Sequence, residues 1–133
     1  MTCDVSSNEW GRIIHHPQSG ILELSWRNVA MSDQAFMATL CLLAADAERL
    51  RPCAIIVDAR EFRHQFGPGV MEWRDSVVIP RYGAAGVRKF AFVLPKGSPP
   101  VGRESVEGRA VFPTAWFDSH EQAVAWITRG ERS

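Results

Sequence analysis

Hydrophobic and polar positions alternate with two different periods along the chain, and the change of period marks the expected elements. In Ile21–Trp26, Leu22, Leu24 and Trp26 alternate with Ile21, Glu23 and Ser25, which predicts a strand with one apolar and one mixed face. Residues 12–15 form a second strand-like run, and Pro17, Gln18, Ser19 and Gly20 between them are turn formers suited to a hairpin. Ser32 then offers an N-cap and Asp33 suits the positive end of a helix dipole. Phe36, Leu40, Leu43, Ala47 and Leu50 recur at helical spacing until Pro52 stops the helix. Met37 and Ala44 widen that stripe, and Asp46, Glu48, Arg49 and Arg51 lie off it.

Residues 53–57 and 89–94 are short, nearly unbroken apolar runs, as expected of central strands covered on both faces. Between them Val70, Trp73 and Val77 predict a helix over 70–82, with Pro80 kinking or shortening its end. Residues 97–100 read as a loop, and 101–110 as an ambiguous short helix weakened by Gly102 and Gly108. Thr114–Phe117 reads as a last strand, followed by a helix opened by a Ser119/Gln122 capping box, running through Thr128, with Gly130 as its stop. The expected organisation is a leader without periodicity at 1–9, one domain at 10–129 and a tail at 130–133. The alternation of strands and helices predicts an α/β fold. Its mixed sheet would be mostly parallel, with the N-terminal β-hairpin at one edge and helices packed against it.

Bulk properties narrow the function classes. The 133 residues suit one core, and 46% hydrophobic with 23% charged residues is ordinary globular composition. Fifteen basic and fifteen acidic residues balance, leaving no net field to attract nucleic acid. No apolar run approaches the roughly 20 residues of a membrane span, and the first ten residues lack a secretory pattern, so a cytoplasmic location is expected. Three cysteines, Cys3, Cys41 and Cys53, are too widely spaced for a zinc ribbon, and the odd count argues against a disulfide framework.

The order of elements carries a resemblance. The segment Ala54-Ile55-Ile56-Val57-Asp58 feeding a loop that ends Gly67-Pro68-Gly69-Val70 resembles the STAS fold, most closely its bacterial SpoIIAA-like branch. The stretch Val87-Arg88-Lys89-Phe90-Ala91-Phe92-Val93-Leu94-Pro95, and the ending with Phe117-Asp118-Ser119, Glu121-Gln122-Ala123 and Trp126-Ile127, are similar to the same relatives. The resemblance runs from about Trp10 to Thr128 and lies in the joint order of these motifs. It implies a scaffold that binds a protein partner or a small ligand, often as a homodimer. It also implies an aspartate closing the strand, matched by Asp58, and a phosphorylatable serine at the next helix. Gly67 and Pro68 occupy that place instead, so no phosphorylation switch of that type is expected.

Ligands of open α/β sheets collect beyond the carboxyl ends of the strands. Asp58 stands at such an end, with Arg60, His64 and Phe66 on the loop behind it and Gly67 and Gly69 leading into a helix that could present amide protons to an anion. Asp58 bonded to its own loop, with Arg60 as partner, is the simpler reading of the same residues. Trp73, with Phe66 and Met71, could line an apolar pocket or a dimer face, and packing into the core is the simpler reading of the same residue. The four histidines do not gather into a metal set, since neighbours such as His15 and His16 point to opposite faces of a strand. No nucleophile elbow or phosphate loop is present.

The expected function is therefore a non-enzymatic binding or regulatory module working through residues 58–69, with neither metal nor cofactor. Its partner is a protein or a second copy. The alternative is a carrier or sensor of a small apolar, lipid-like molecule in a pocket near that loop, with 96–108 as lid. An enzyme using Asp58 and His64 as acid and base comes third.

Overall fold

The computed structural model describes residues 3–62, 64–96, 104–105 and 112–129. Among the described residues seven strands form one sheet: β1 (Cys3–Ser7), β2 (Gly11–His16), β3 (Ile21–Trp26), β4 (Ala54–Asp58), β5 (Lys89–Val93), β6 (Glu104–Ser105) and β7 (Thr114–Phe117). Their order is β1-β2-β3-β4-β5-β7-β6. The two apolar central runs pair in parallel, Ala54 opposite Lys89 through Asp58 opposite Val93. β3 and β7 flank them, also in parallel. The outer pairings β1·β2, β2·β3 and β6·β7 are antiparallel. The sheet is thus α/β and mixed, but parallel only in its middle, where crossover helices cover both faces. The expectation of a mostly parallel sheet is corrected to three parallel and three antiparallel pairings.

The hairpin β2·β3 forms where its turn residues predict. Ser19 and Gly20 donate their amides to the His16 carbonyl at 3.2 and 2.9 Å, and Gly20 adopts φ +73°. A Cβ there would lie 2.9 Å from Cys53 Sγ, so glycine serves both the turn and the entry to β4. This hairpin is not the sheet edge, because Cys3–Ser7, within the expected leader, adds outside it as β1. A register shift between Asp4 and Ser6 interrupts the pairing, and such a bulge erases the alternation by which a strand is recognised. Asn8 builds the intervening turn, its Oδ1 accepting from the amides of Trp10 and Gly11, both at 2.9 Å.

Helix α1 (Asp33–Leu50) starts at Ser32, whose Oγ accepts from the Ala35 amide at 3.1 Å, and ends with Arg51 left-handed at φ 54°. Its buried stripe includes Phe36, Leu40, Leu43, Ala44 and Ala47. Asp46, expected off the stripe, is buried and paired with Arg49 at 3.2 Å.

The second helical region continues past Pro80. It comprises α2 (Val70–Trp73), a π-helical stretch at Arg74–Val78 and α3 (Ile79–Ala84). In an unbroken α-helix the Pro80 ring would press on the Ser76 carbonyl. The wider stretch before it instead sends the Ile79 amide to the Arg74 carbonyl. The added residue shifts the apolar phase by one, so Val78 and Tyr82 are buried whereas Val77, expected inside, is exposed. Helix α4 (His120–Arg129) opens at Ser119, whose Oγ accepts from the Gln122 amide at 3.4 Å. Of the ambiguous segment 101–110, Glu104–Ser105 form an edge strand on β7, and the remainder lies outside the described residues, as does most of the expected lid.

Strand periodicity sorts two cores. Ile13, Leu22, Leu24, Ile55, Val57 and Phe90 face α1 and the second helical region. Ile21, Ile56, Ala91, Val93, Ala115 and Phe117 face α4. No helix among the described residues is long and apolar enough to cross a membrane.

Candidate functional site

β4 delivers Asp58 to the carboxyl end of the sheet, buried and gripped by Arg60. The Arg60 Nε and Nη2 donate to Asp58 Oδ1 and Oδ2 at 2.9 and 2.6 Å, and the Arg60 amide donates to Oδ1 at 3.2 Å. Burial pushes the Asp58 carboxyl up, but the hydrogen bonds from Arg60 outweigh it and hold the group below its ordinary value. The same pairing holds the Arg60 guanidinium above its ordinary value. The pair is the local clasp that the simpler sequence reading describes.

Strand alternation places Asp58 on the same face as Ile56, toward α4. There a further polar group forms: Glu23, buried in β3, accepts from His16 Nε2 and from His120 Nε2, each at 3.0 Å. Both imidazoles converge on the single oxygen Oε1. No group of three or more His, Cys, Asp or Glu among the described residues could hold a metal ion.

His64, Phe66 and Gly67 lie toward α1, on the other face. His64 Nε2 donates to Asp33 Oδ1 at 2.6 Å, and the Gly67 amide donates to Oδ1 and Oδ2 of the same carboxylate at 3.3 and 3.1 Å. Asp33 is held below its ordinary value first by the His64 hydrogen bond and then by the Gly67 amide. A Cβ on Gly67 would sit 2.5 Å from Asp33 Oδ2, which explains a glycine there. The Gly67 amide is therefore engaged by the first turn of α1, and its expected role toward an anion is corrected. Gly69 supplies the left-handed residue, φ +83°, at which the chain turns into α2. Asp58 and His64 each have a separate partner and do not pair with one another.

The Asp33 clasp draws the loop over an aromatic cluster. The Phe66 ring lies 4.5 Å from Phe36 and 5.6 Å from Phe62, and Trp26 lies 5.3 Å from Phe36 and 5.0 Å from Phe62. Beneath them is a cavity of about 310 Å³. The sheet contributes Val57, Phe90, Phe92 and Trp116; the helices contribute Leu40, Met71 and Ile79; the loop contributes Ala59, Phe62 and Phe66. Arg74 and Tyr82 are the polar members of this lining.

Phe66 and Met71 line this cavity. Trp73 packs half-buried against the core, and Arg74, three residues from Met71, shares the cavity-facing side of the helix. The seven residues anticipated at this end, Asp58, Arg60, His64, Phe66, Gly67, Gly69 and Trp73, therefore do not converge on one site. Asp33, Glu23, Arg74 and Tyr82 escaped sequence reasoning. The sole available sign was the i, i+3 spacing of Met71 and Arg74, since the other contacts join residues distant in sequence. Compared with protein-family models, curated proteins and solved structures, the chain matches none.

Proposed function

We propose that this chain is a non-enzymatic binding module holding a small apolar molecule in the cavity roofed by residues 59–66. The carrying observation is the cavity itself: about 310 Å³, lined almost wholly by aliphatic and aromatic side chains, beside the carboxyl ends of β4 and β5. That volume lies at the lower end of the roughly 300 to 1,000 Å³ of ligand pockets. The observed order of strands and helices and the parallel central pair also support a STAS-like, SpoIIAA-like scaffold as the frame of this activity.

The test is saturable binding of 1-decanol, followed through the emission of Trp26 and Trp116, which line the cavity. Ala59→Phe, which places a ring in the same space, is expected to weaken binding by about tenfold or more while the protein still melts cooperatively. Lack of saturable binding to the unaltered chain defeats the reading.

A second reading, docking of a protein partner or a second copy on the loop, is favoured by Phe66 at 39% and Val29 at 42% exposure. Under it, Phe66→Ala abolishes an interaction in solution without lowering the melting temperature much, and unchanged binding counts against this surface.

A further inference from the structure

Besides the indoles of Trp26 and Trp116, Arg74 and Tyr82 bring donors to the described lining. Arg74 is the one charged residue among the described residues of the lining. Its Nε and Nη2 both donate to Asp75 Oδ1, at 3.1 and 2.9 Å, which fixes the guanidinium from one side. Of its five N–H groups, the other three have no acceptor among the described residues. Tyr82 is 1% exposed, and its hydroxyl has no hydrogen-bond partner among the described residues. A buried phenol without an acceptor is uncommon in folded proteins and calls for one. Burial pushes its pKa well up, against the lowering charge of Arg74, so the phenol remains a protonated donor. The π-helical stretch Arg74–Val78 lies between these residues and sets their phase, a feature frequent at functional sites.

Resting on the cavity-binding reading above, we propose that the ligand is an amphiphile with a single anionic oxygen head, a medium-length alkanoate or an arene carboxylate. Its tail fills the apolar space, and its carboxylate accepts from Arg74 and Tyr82. One guanidinium already shared with Asp75 suits a monoanion better than a phosphate dianion. Asp75 is the counter-charge that keeps the empty pocket neutral.

Sodium decanoate and 1-decanol share a tail and differ in the head, so they separate this proposal from the reading beneath it. The full chain is expected to bind decanoate about tenfold more tightly than decanol. Arg74→Met should remove that preference, bringing decanoate and decanol to equal affinity, and Tyr82→Phe should weaken decanoate by about fivefold. Decanoate and decanol bound equally, or decanoate indifferent to both substitutions while Ala59→Phe still excludes it, would overturn the carboxylate assignment and leave the apolar site standing. Failure of both probes to bind the unaltered chain would overturn the cavity reading and the assignment together.

Discussion

Asp58 illustrates how a residue at a favourable address can be consumed by its own loop. The end of β4 is where a ligand group would be sought, yet both carboxylate oxygens are taken by Arg60. Because the folded carboxyl titrates below its ordinary 3.8, its contribution to stability is present above that pH and is lost as pH falls through the lower folded value. Asp58→Asn should therefore lower the urea midpoint at neutral pH, and the two proteins should converge below pH 3.8. A constant gap across acid pH would contradict this. Tyr82 makes the opposite case. Its orphaned hydroxyl carries a desolvation penalty without a partner, so Tyr82→Phe should leave the unliganded protein as stable as before or more stable by about 1 kcal/mol. A loss of 2 kcal/mol or more in urea unfolding would reveal a hydrogen bond to the phenol. Neither outcome was legible in the sequence, where Tyr82 marked only the expected end of a helix.

Elements with a clean period were readable: α1, the central strands β4 and β5, the β2·β3 hairpin and α4 all lie within a few residues of where their patterns place them. The departures have local causes. β1 is hidden by its bulge, although Asn8 followed by Gly11 is a turn signature that could have pointed to a strand before it. The second helical region changes phase at its π-helical stretch, which no α-periodic template contains. The hairpin shows the reverse, a turn whose chemistry and geometry agree. Gly20→Ala should cost about 1 to 3 kcal/mol, because a positive φ and the approach of Cys53 Sγ both resist a side chain. Equilibrium unfolding in denaturant measures it, and a change below 0.5 kcal/mol would mean that the turn relaxes.

At the scale of the whole molecule, the sheet divides the carboxyl edge into two polar environments and one apolar one. Asp58, Arg60 and Glu23 lie on the α4 side, where His120 opens that helix, whereas His64, Phe66 and Gly67 close over α1 through Asp33. Sequence alternation reveals that neighbours diverge, but not which helix covers which face, and the Asp33 clasp joins residues over thirty positions apart. Hence the crowding of Asp58, Arg60, His64 and Phe66 near one end of the sheet was legible, while the partners that separate them were not. On the α1 face of the sheet lies the cavity in which we propose that a small apolar molecule binds.

Methyl NMR of the chain during titration with 1-decanol reads the filling of that cavity residue by residue. Shifts should concentrate at Leu40, Val57, Met71, Ile79 and Leu94 around the cavity, with Ile21, Ile56 and Ile127 on the α4 face unmoved. Shifts spread equally over both faces, or none at saturating decanol, would contradict it.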